Sequence, residues 1–251
     1  MSLYTRIPMP YIEWDRNNTK YVLTVLPFSG LLTGAAEAVW YTVSMAAGIH
    51  APLFAAVSCA LPLLINGGIH LDGLADTADA CASHAPPDRR REILADPHTG
   101  AFGAAAVVMY EIFLFGIYCE LFYLSEKAHA GHLPLLFVIS FVAPRAMAQM
   151  AAALLPPSSR EGLLYTMTFV SDKWLNIMTG IEIMAICTAA VCISLGAWGL
   201  IFAAAALLLA LCFTRMTRKG FGGISGDLCG WLIKMAEAVI LTSFLLILRF
   251  T

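Results

Sequence analysis

Seven apolar runs limit what this chain can fold into. They cover residues 21 to 47, 51 to 66, 101 to 124, 133 to 155, 175 to 195, 197 to 214 and 231 to 250. Most approach the ~20 residues an α-helix needs to cross a bilayer. The second is short, and the fifth and sixth are separated only around Gly196 and Gly199, so the count is about seven. Charged residues make up 13% of the 251 residues, against roughly 25% in an ordinary soluble domain. The runs are too long, and alternate too little, for a β-barrel. The expected fold is all-α: one polytopic membrane bundle of about seven transmembrane helices, with residues 1 to 251 forming a single integral membrane domain.

The first 20 residues hold no apolar core with a small-residue cleavage site, so no removable signal peptide is expected. Seven cysteines lie mostly inside the apolar runs and never form a C-x-x-C pair, which points to packing rather than to zinc or disulfides. The basic residues are unevenly spread. With the N-terminus inside, the inner segments hold Arg6, Arg16, Lys20, Arg89, Arg90, Arg91, Arg160, Lys173, Arg215, Arg218 and Lys219, eleven of the fifteen. Only Lys127 and Arg249 fall outside, and Arg145 and Lys234 lie within spans. That asymmetry predicts an N-in, C-out protein of the cytoplasmic (inner) membrane.

Against this background one acidic stretch stands out. "HLDGLADTAD", His70 to Asp79, sets three aspartates into eight residues, after an Asn66-Gly67-Gly68 turn. On a helix, Asp76 lies roughly 40° from Asp72, and Asp79 roughly 20° from it on the other side, so all three share an arc of about 60°. Such charges repel unless a cation sits among them. Hard oxygen donors without a His-Cys set favour Mg²⁺ or Mn²⁺. The competing reading is a solvated face of an amphipathic helix. Such a face normally mixes Lys, Glu and Gln, whereas this stripe is all Asp. His70 lies roughly 160° from Asp72 and is a ligand only if the helix starts after it.

Two further inner segments carry chemistry. "DRRREILADPHTGAFG", Asp88 to Gly103, joins a basic cluster to Asp96-Pro97 and a Gly-x-x-Gly turn. The arginines suit a topological anchor or a phosphate clamp, and Asp96 suits a helix cap or a site role. "TRKGFGGISGDLCG", Thr217 to Gly230, surrounds Asp227 with five glycines. Glycines at this density turn backbone N-H groups toward an anion, and the following helix offers its positive end; a flexible linker would look similar. Glu237 either adds a carboxylate or pairs with Lys234 at i,i+3. Glu37 and Glu111 lie inside spans, where ionisable groups are costly. Metal carboxylates, arginine and a Gly-rich anion loop are the parts for moving a phosphoryl-type group. Residues alone therefore lead to an Mg²⁺-dependent intramembrane transferase acting on a diphosphate.

"GGIHLDGLADTADA", "DPHTGAFG" and "GGISGDLCG", with the opening "YTRIPMP" and "LPFSGLLTG", resemble the cobalamin synthase family, the adenosylcobinamide-GDP ribazoletransferases, from about residue 4 to residue 237. The resemblance implies a Mg²⁺-dependent membrane enzyme of late cobalamin (vitamin B12) biosynthesis. It would join α-ribazole, or its 5'-phosphate, to adenosylcobinamide-GDP and release GMP. The lipid bilayer is its surroundings, a homo-oligomer or a complex with other cobalamin-assembly enzymes is compatible, and no nucleic acid is expected. By the same resemblance His70, Asp72, Asp76 and Asp79 match the acidic motif, Asp96 and Gly100 an Asp-x-x-x-Gly segment, and Gly223, Gly226 and Asp227 the Gly-rich motif. Glu237 matches a following carboxylate. His98, Ala80 and Lys234 depart from the usual Arg, Gly and Glu. The expected site comprises Asp72, Asp76, Asp79 and Asp227 as metal ligands and catalytic carboxylates, and His70, Arg89, Arg90, Gly223 and Gly226 as substrate-binding groups. Rival readings are an intramembrane prenyltransferase, which usually carries a second Asp-rich motif, and a CDP-alcohol phosphotransferase, whose Asp spacing is absent. A cation or corrinoid transporter is a third, but its acids would sit near the midplane in repeated halves.

Overall fold

The computed structural model describes residues 3–8, 20–128 and 131–250. Met9, Pro10 and Arg16, and the side chain of Lys127, lie outside the described residues. Ten α-helices occur among those described: α1 (Leu26–Ala47), α2 (Ala51–Asn66), α3 (Ile69–Ala82), α4 (Pro87–Leu94), α5 (Ala101–Ala128), α6 (Leu133–Leu154), α7 (Leu163–Val170), α8 (Lys173–Leu195), α9 (Leu200–Gly220) and α10 (Gly226–Phe250). No strand forms among the described residues beyond an isolated bridge between Pro157 and Ile224. The all-α expectation holds.

Four helical stretches are long and apolar enough to cross a membrane: Ala101–Glu126, Leu133–Leu154, Lys173–Gly220 and Gly226–Phe250. A fifth arises if α2 and α3, bent by 98° at their junction, count as one crossing. By this measure α1, diluted by Ser29, Gly30, Thr33, Gly34 and Glu37, does not qualify. The 48-residue stretch Lys173–Gly220 doubles back at a 3₁₀ turn, Gly196–Gly199. There a Cβ on Gly199 would lie 2.7 Å from the Cys192 nitrogen. The chain before and after the reversal returns to one place, since Lys173 and Ile224 line one small cavity.

Small residues set the packing. A Cβ on Gly30 would fall 2.3 Å from the Phe141 carbonyl oxygen, and one on Gly34 2.6 Å from Val138 Cα. α1 and α6 therefore meet backbone to backbone, as small-residue interfaces allow in membranes. One apolar core gathers aromatic rings around Phe54, which stacks on Phe122 at 4.5 Å between centroids and meets Tyr41 and Tyr118 edge-on. The helices also bury an ionic group. Glu237 accepts from Arg145 Nη1 at 2.8 Å and Lys234 Nζ at 2.7 Å, with all three side chains within 5% exposure. The i,i+3 pairing of Lys234 with Glu237 is thus present. Charges this far from water persist only when paired.

Candidate active site

The site begins at a turn. Gly67 and Gly68 both have positive φ, 69° and 80°, a region that an L side chain rarely adopts. They reverse the chain out of α2 and lay α3 across the end of the bundle. A Cβ on Gly67 would also strike Arg6 at 2.8 Å. α3 buries His70, Gly73, Leu74, Ala75, Thr77 and Ala80 and turns its aspartates away from that face. Asp72 is exposed, and Asp76 and Asp79 are half-buried.

α3 and α10 cross at two glycines. A Cβ on Gly73 would lie 2.5 Å from the Asp227 carbonyl oxygen, and one on Gly230 3.2 Å from the His70 carbonyl oxygen. The crossing brings Asp227 to Asp72 and Asp76 close enough for the carboxylates to repel one another. Among the described residues none of the three forms an ion pair. A cavity of about 610 Å³ opens against Asp72 and Asp227. Asp72, Asp227, His70 and Gly226 line it, and Ser158 and Arg91 close it from other segments.

Asp79 does something else. Its Oδ2 accepts from the Gly100 N-H at 2.7 Å and its Oδ1 from the Gly103 N-H at 2.8 Å. The carboxylate thus caps the start of α5 from a neighbouring helix, where the helix dipole favours negative charge. A Cβ at Gly100 or Gly103 would come within 2.5 Å or 2.3 Å of that carboxylate. The Gly-x-x-Gly spacing is what lets the cap close.

The basic residues divide three ways. Arg89 faces outward, paired with exposed Glu92. Arg90 lies over the Phe221 ring. Arg91 pairs with Asp88, donates to the Phe221 carbonyl at 3.1 Å and lines the cavity. The α4 cluster thus meets the Gly-rich loop, but Arg89 is not brought to the cavity. Within the loop, Gly223 packs where a Cβ would meet the Pro156 oxygen at 2.4 Å. Bonds from Ile224 N-H to Pro156 and from Ser158 N-H to Ile224 fasten it there, at 2.8 and 2.9 Å. Gly226 has open space beside it. Asp96 accepts from the His98 N-H at 2.9 Å, with His98 Nδ1 at 2.7 Å. These contacts hold its carboxyl below the usual carboxylate range and make a local turn away from the cavity. Glu237 sits in the buried ionic group, and Glu37 is fully buried in α1.

Arg91, Tyr4 and the segment from Pro157 to Tyr165 also border the cavity, and sequence reasoning missed the last two. Their only sequence signals were the "YTRIPMP" opening and the Pro156-Pro157 pair.

The family model described as cobalamin-5-phosphate synthase matches residues 1–245. The chain belongs to that family. Curated relatives of this cobalamin-5-phosphate synthase family member carry the name adenosylcobinamide-GDP ribazoletransferase. The one from Lachnoclostridium phytofermentans is 28% identical, over 94% of this chain and 87% of its own length. That from Clostridium botulinum (strain Alaska E43 / Type E3) is 29% identical over 97% and 94%. That from Desulfitobacterium hafniense is 30% identical over 96% and 92%. No solved structure matches.

Proposed function

We propose that this chain is a membrane-bound adenosylcobinamide-GDP ribazoletransferase of late cobalamin synthesis. It joins α-ribazole, or its 5'-phosphate, to adenosylcobinamide-GDP and releases GMP. Membership of the family and the names of its relatives support the activity. The observation that carries the site is the meeting of Asp72 on α3 with Asp227 on α10 at one cavity that Arg91 also borders, with Asp76 close enough to feel both charges.

The donor set fits Mg²⁺ in a particular way. Among the described residues no three His, Cys, Asp or Glu side chains close around one point, so the protein does not form an all-protein cage. Mg²⁺ is commonly held by one or two carboxylates with water and substrate phosphate oxygens completing its shell, and unpaired carboxylates beside a cavity suit that role. One or two of the carboxylates of Asp72, Asp76 and Asp227 would hold the ion, with Asp79 behind them joining the acidic face to α5. Bound there, Mg²⁺ would neutralise the diphosphate.

The chain's own groups supply the rest. The start of α10, beside Gly223 and Gly226, carries the positive end of the helix dipole and would favour an anion there, although the Leu228 N-H already donates to Ser225 Oγ at 3.2 Å. Arg91 clamps phosphate oxygens, Arg90 steadies the loop through Phe221, and Arg89 adds positive potential at the rim. His70 forms part of the floor. The ribazole 3'-hydroxyl attacks the phosphorus bearing the cobinamide. The new P-O bond forms as the bond to GMP breaks, and Asp227 accepts the hydroxyl proton. Seven crossings, an N-in, C-out orientation and a site facing the cytoplasm of an inner membrane agree with the distribution of basic residues and with the α8–α9 reversal.

Purified protein given both substrates should release GMP in step with the cobalamin product, and EDTA should stop it. Absence of GMP release with Mg²⁺ and both substrates present would overturn the reading.

A further inference from the structure

The cavity beside Asp72 and Asp227 has walls of two kinds. Asp72, Arg91, Ser158, Glu161, Ser225 and Asp227 are among the residues of its polar wall. Tyr4, Leu23, Leu26, Ala148, Ala152 and Met167 also line it and belong to one packed apolar group. The Tyr4 hydroxyl is already committed, donating to the Val22 carbonyl at 3.0 Å. This second wall is tightly packed, each residue at most 7% exposed, so what little it presents to a bound molecule is apolar and without a free side-chain donor.

Size and polarity then select an occupant. About 610 Å³ falls within the usual range for small-molecule pockets. It admits a nucleoside or its monophosphate and excludes a corrin macrocycle. A guanine base carries donors and acceptors along its edge, and these would lose water against the apolar wall with nothing in exchange. The benzimidazole-type base of a ribazole has a carbocyclic edge without exocyclic polar groups, so burying it there is favourable. We propose that the wall formed by Tyr4, Leu23, Leu26, Ala148, Ala152 and Met167 seats the aromatic base of the nucleoside substrate. The ribose hydroxyls then point toward Asp72 and Asp227, and the corrin of the second substrate stays outside. This subsite rests on the transferase reading above.

Leu164 on α7 also lines the cavity and is half-buried, which gives a probe that changes volume without adding charge. Leu164→Trp narrows the subsite and Leu164→Ala widens it. Initial rates of GMP release by the full chain in detergent are measured with each substrate varied in turn. For Leu164→Trp, the KM for α-ribazole should rise about tenfold or more while the KM for adenosylcobinamide-GDP stays within about twofold of its wild-type value. Leu164→Ala should shift preference severalfold toward nucleosides with a bulkier base. Calorimetric titration of α-ribazole alone should reproduce the loss for Leu164→Trp without turnover.

A rise confined to the adenosylcobinamide-GDP KM would assign this wall to guanosine and overturn the proposal. Unchanged constants for both substrates would also overturn it. Matching thermal midpoints establish that the variants fold, and should Leu164→Trp fail to fold, the base preference of Leu164→Ala decides alone. The two readings fail separately. A wild-type protein that releases no GMP sinks the transferase reading, whereas one that turns over with unmoved variant constants sinks only the subsite.

Discussion

Four aspartates meet at the end of the bundle, and their surroundings divide the labour among them. Asp76 feels the charges of Asp72, Asp227 and Asp79 and forms no ion pair among the described residues. Replacing it with Asn keeps the shape and removes one charge. Turnover in membranes should fall by at least about a hundredfold, a loss typical of removing one electrostatic group that acts in the transition state, while the amount of protein in the membrane stays the same. Unchanged GMP release from Asp76→Asn would remove the acidic face from the chemistry. Asp79 differs because both its oxygens already serve Gly100 and Gly103. Gly103→Ala inserts a methyl group 2.3 Å from Asp79 Oδ2 and 2.8 Å from the Ala75 oxygen. Overpacking of this kind costs about 1–3 kcal/mol, so a lower thermal midpoint in detergent and reduced activity are expected together. The stripe was legible from helical spacing, which fixes the direction in which a side chain leaves its own helix. It was silent on Asp79's partners, which come from the start of another helix about two dozen residues downstream, where the two glycines read only as a turn.

At the scale of elements, α4 shows how three adjacent arginines acquire three environments. Successive residues on a helix point about 100° apart, so the run cannot face one ligand. Arg91→Ala should raise the KM for the phosphate-bearing substrate more than Arg89→Ala does, as read from initial rates. Equal effects would mean that the cluster acts only through its summed field. The Arg89–Glu92 pair is exposed, so its loss should change stability by under about 1 kcal/mol. The buried ionic group behaves oppositely. Arg145→Met strands part of Glu237 in a dry interior, and breaking a buried pair costs about 3–5 kcal/mol. A marked fall in the thermal midpoint of the full-length protein would register it. The apolar runs located the long helices well, because burial in lipid demands continuous hydrocarbon. The turn at Gly67-Gly68 was also readable. The α8–α9 reversal was foreshadowed only by Gly196 and Gly199. The junction of Pro156–Ser158 with Ile224 was not readable, since it joins segments far apart in the chain through backbone bonds.

For the whole molecule, the helices converge so that the acidic helix, the arginine cluster and the Gly-rich loop share one end. At the opposite end Arg249 pairs with Glu120. Single cysteines placed at Ser159 and at Glu120 in an otherwise cysteine-free chain should report opposite sides of the membrane. In intact cells an impermeant maleimide should label position 120 and spare position 159, and the reverse pattern would invert the orientation. The bonds around Arg145 extend this unity to the order in which the protein is made. Its Nη1 reaches a carboxylate 92 positions later in the chain. The Asn66 amide, oriented with its oxygen toward Arg145 Nη2 at 3.1 Å and its nitrogen toward the Tyr4 carbonyl at 3.2 Å, ties the same guanidinium to the earliest described segment. During synthesis a cation in the sixth helix therefore waits for the last helix to emerge before it meets a countercharge. A ribosome that stops short of residue 226 leaves Arg145 without its countercharge and Asp227 unmade.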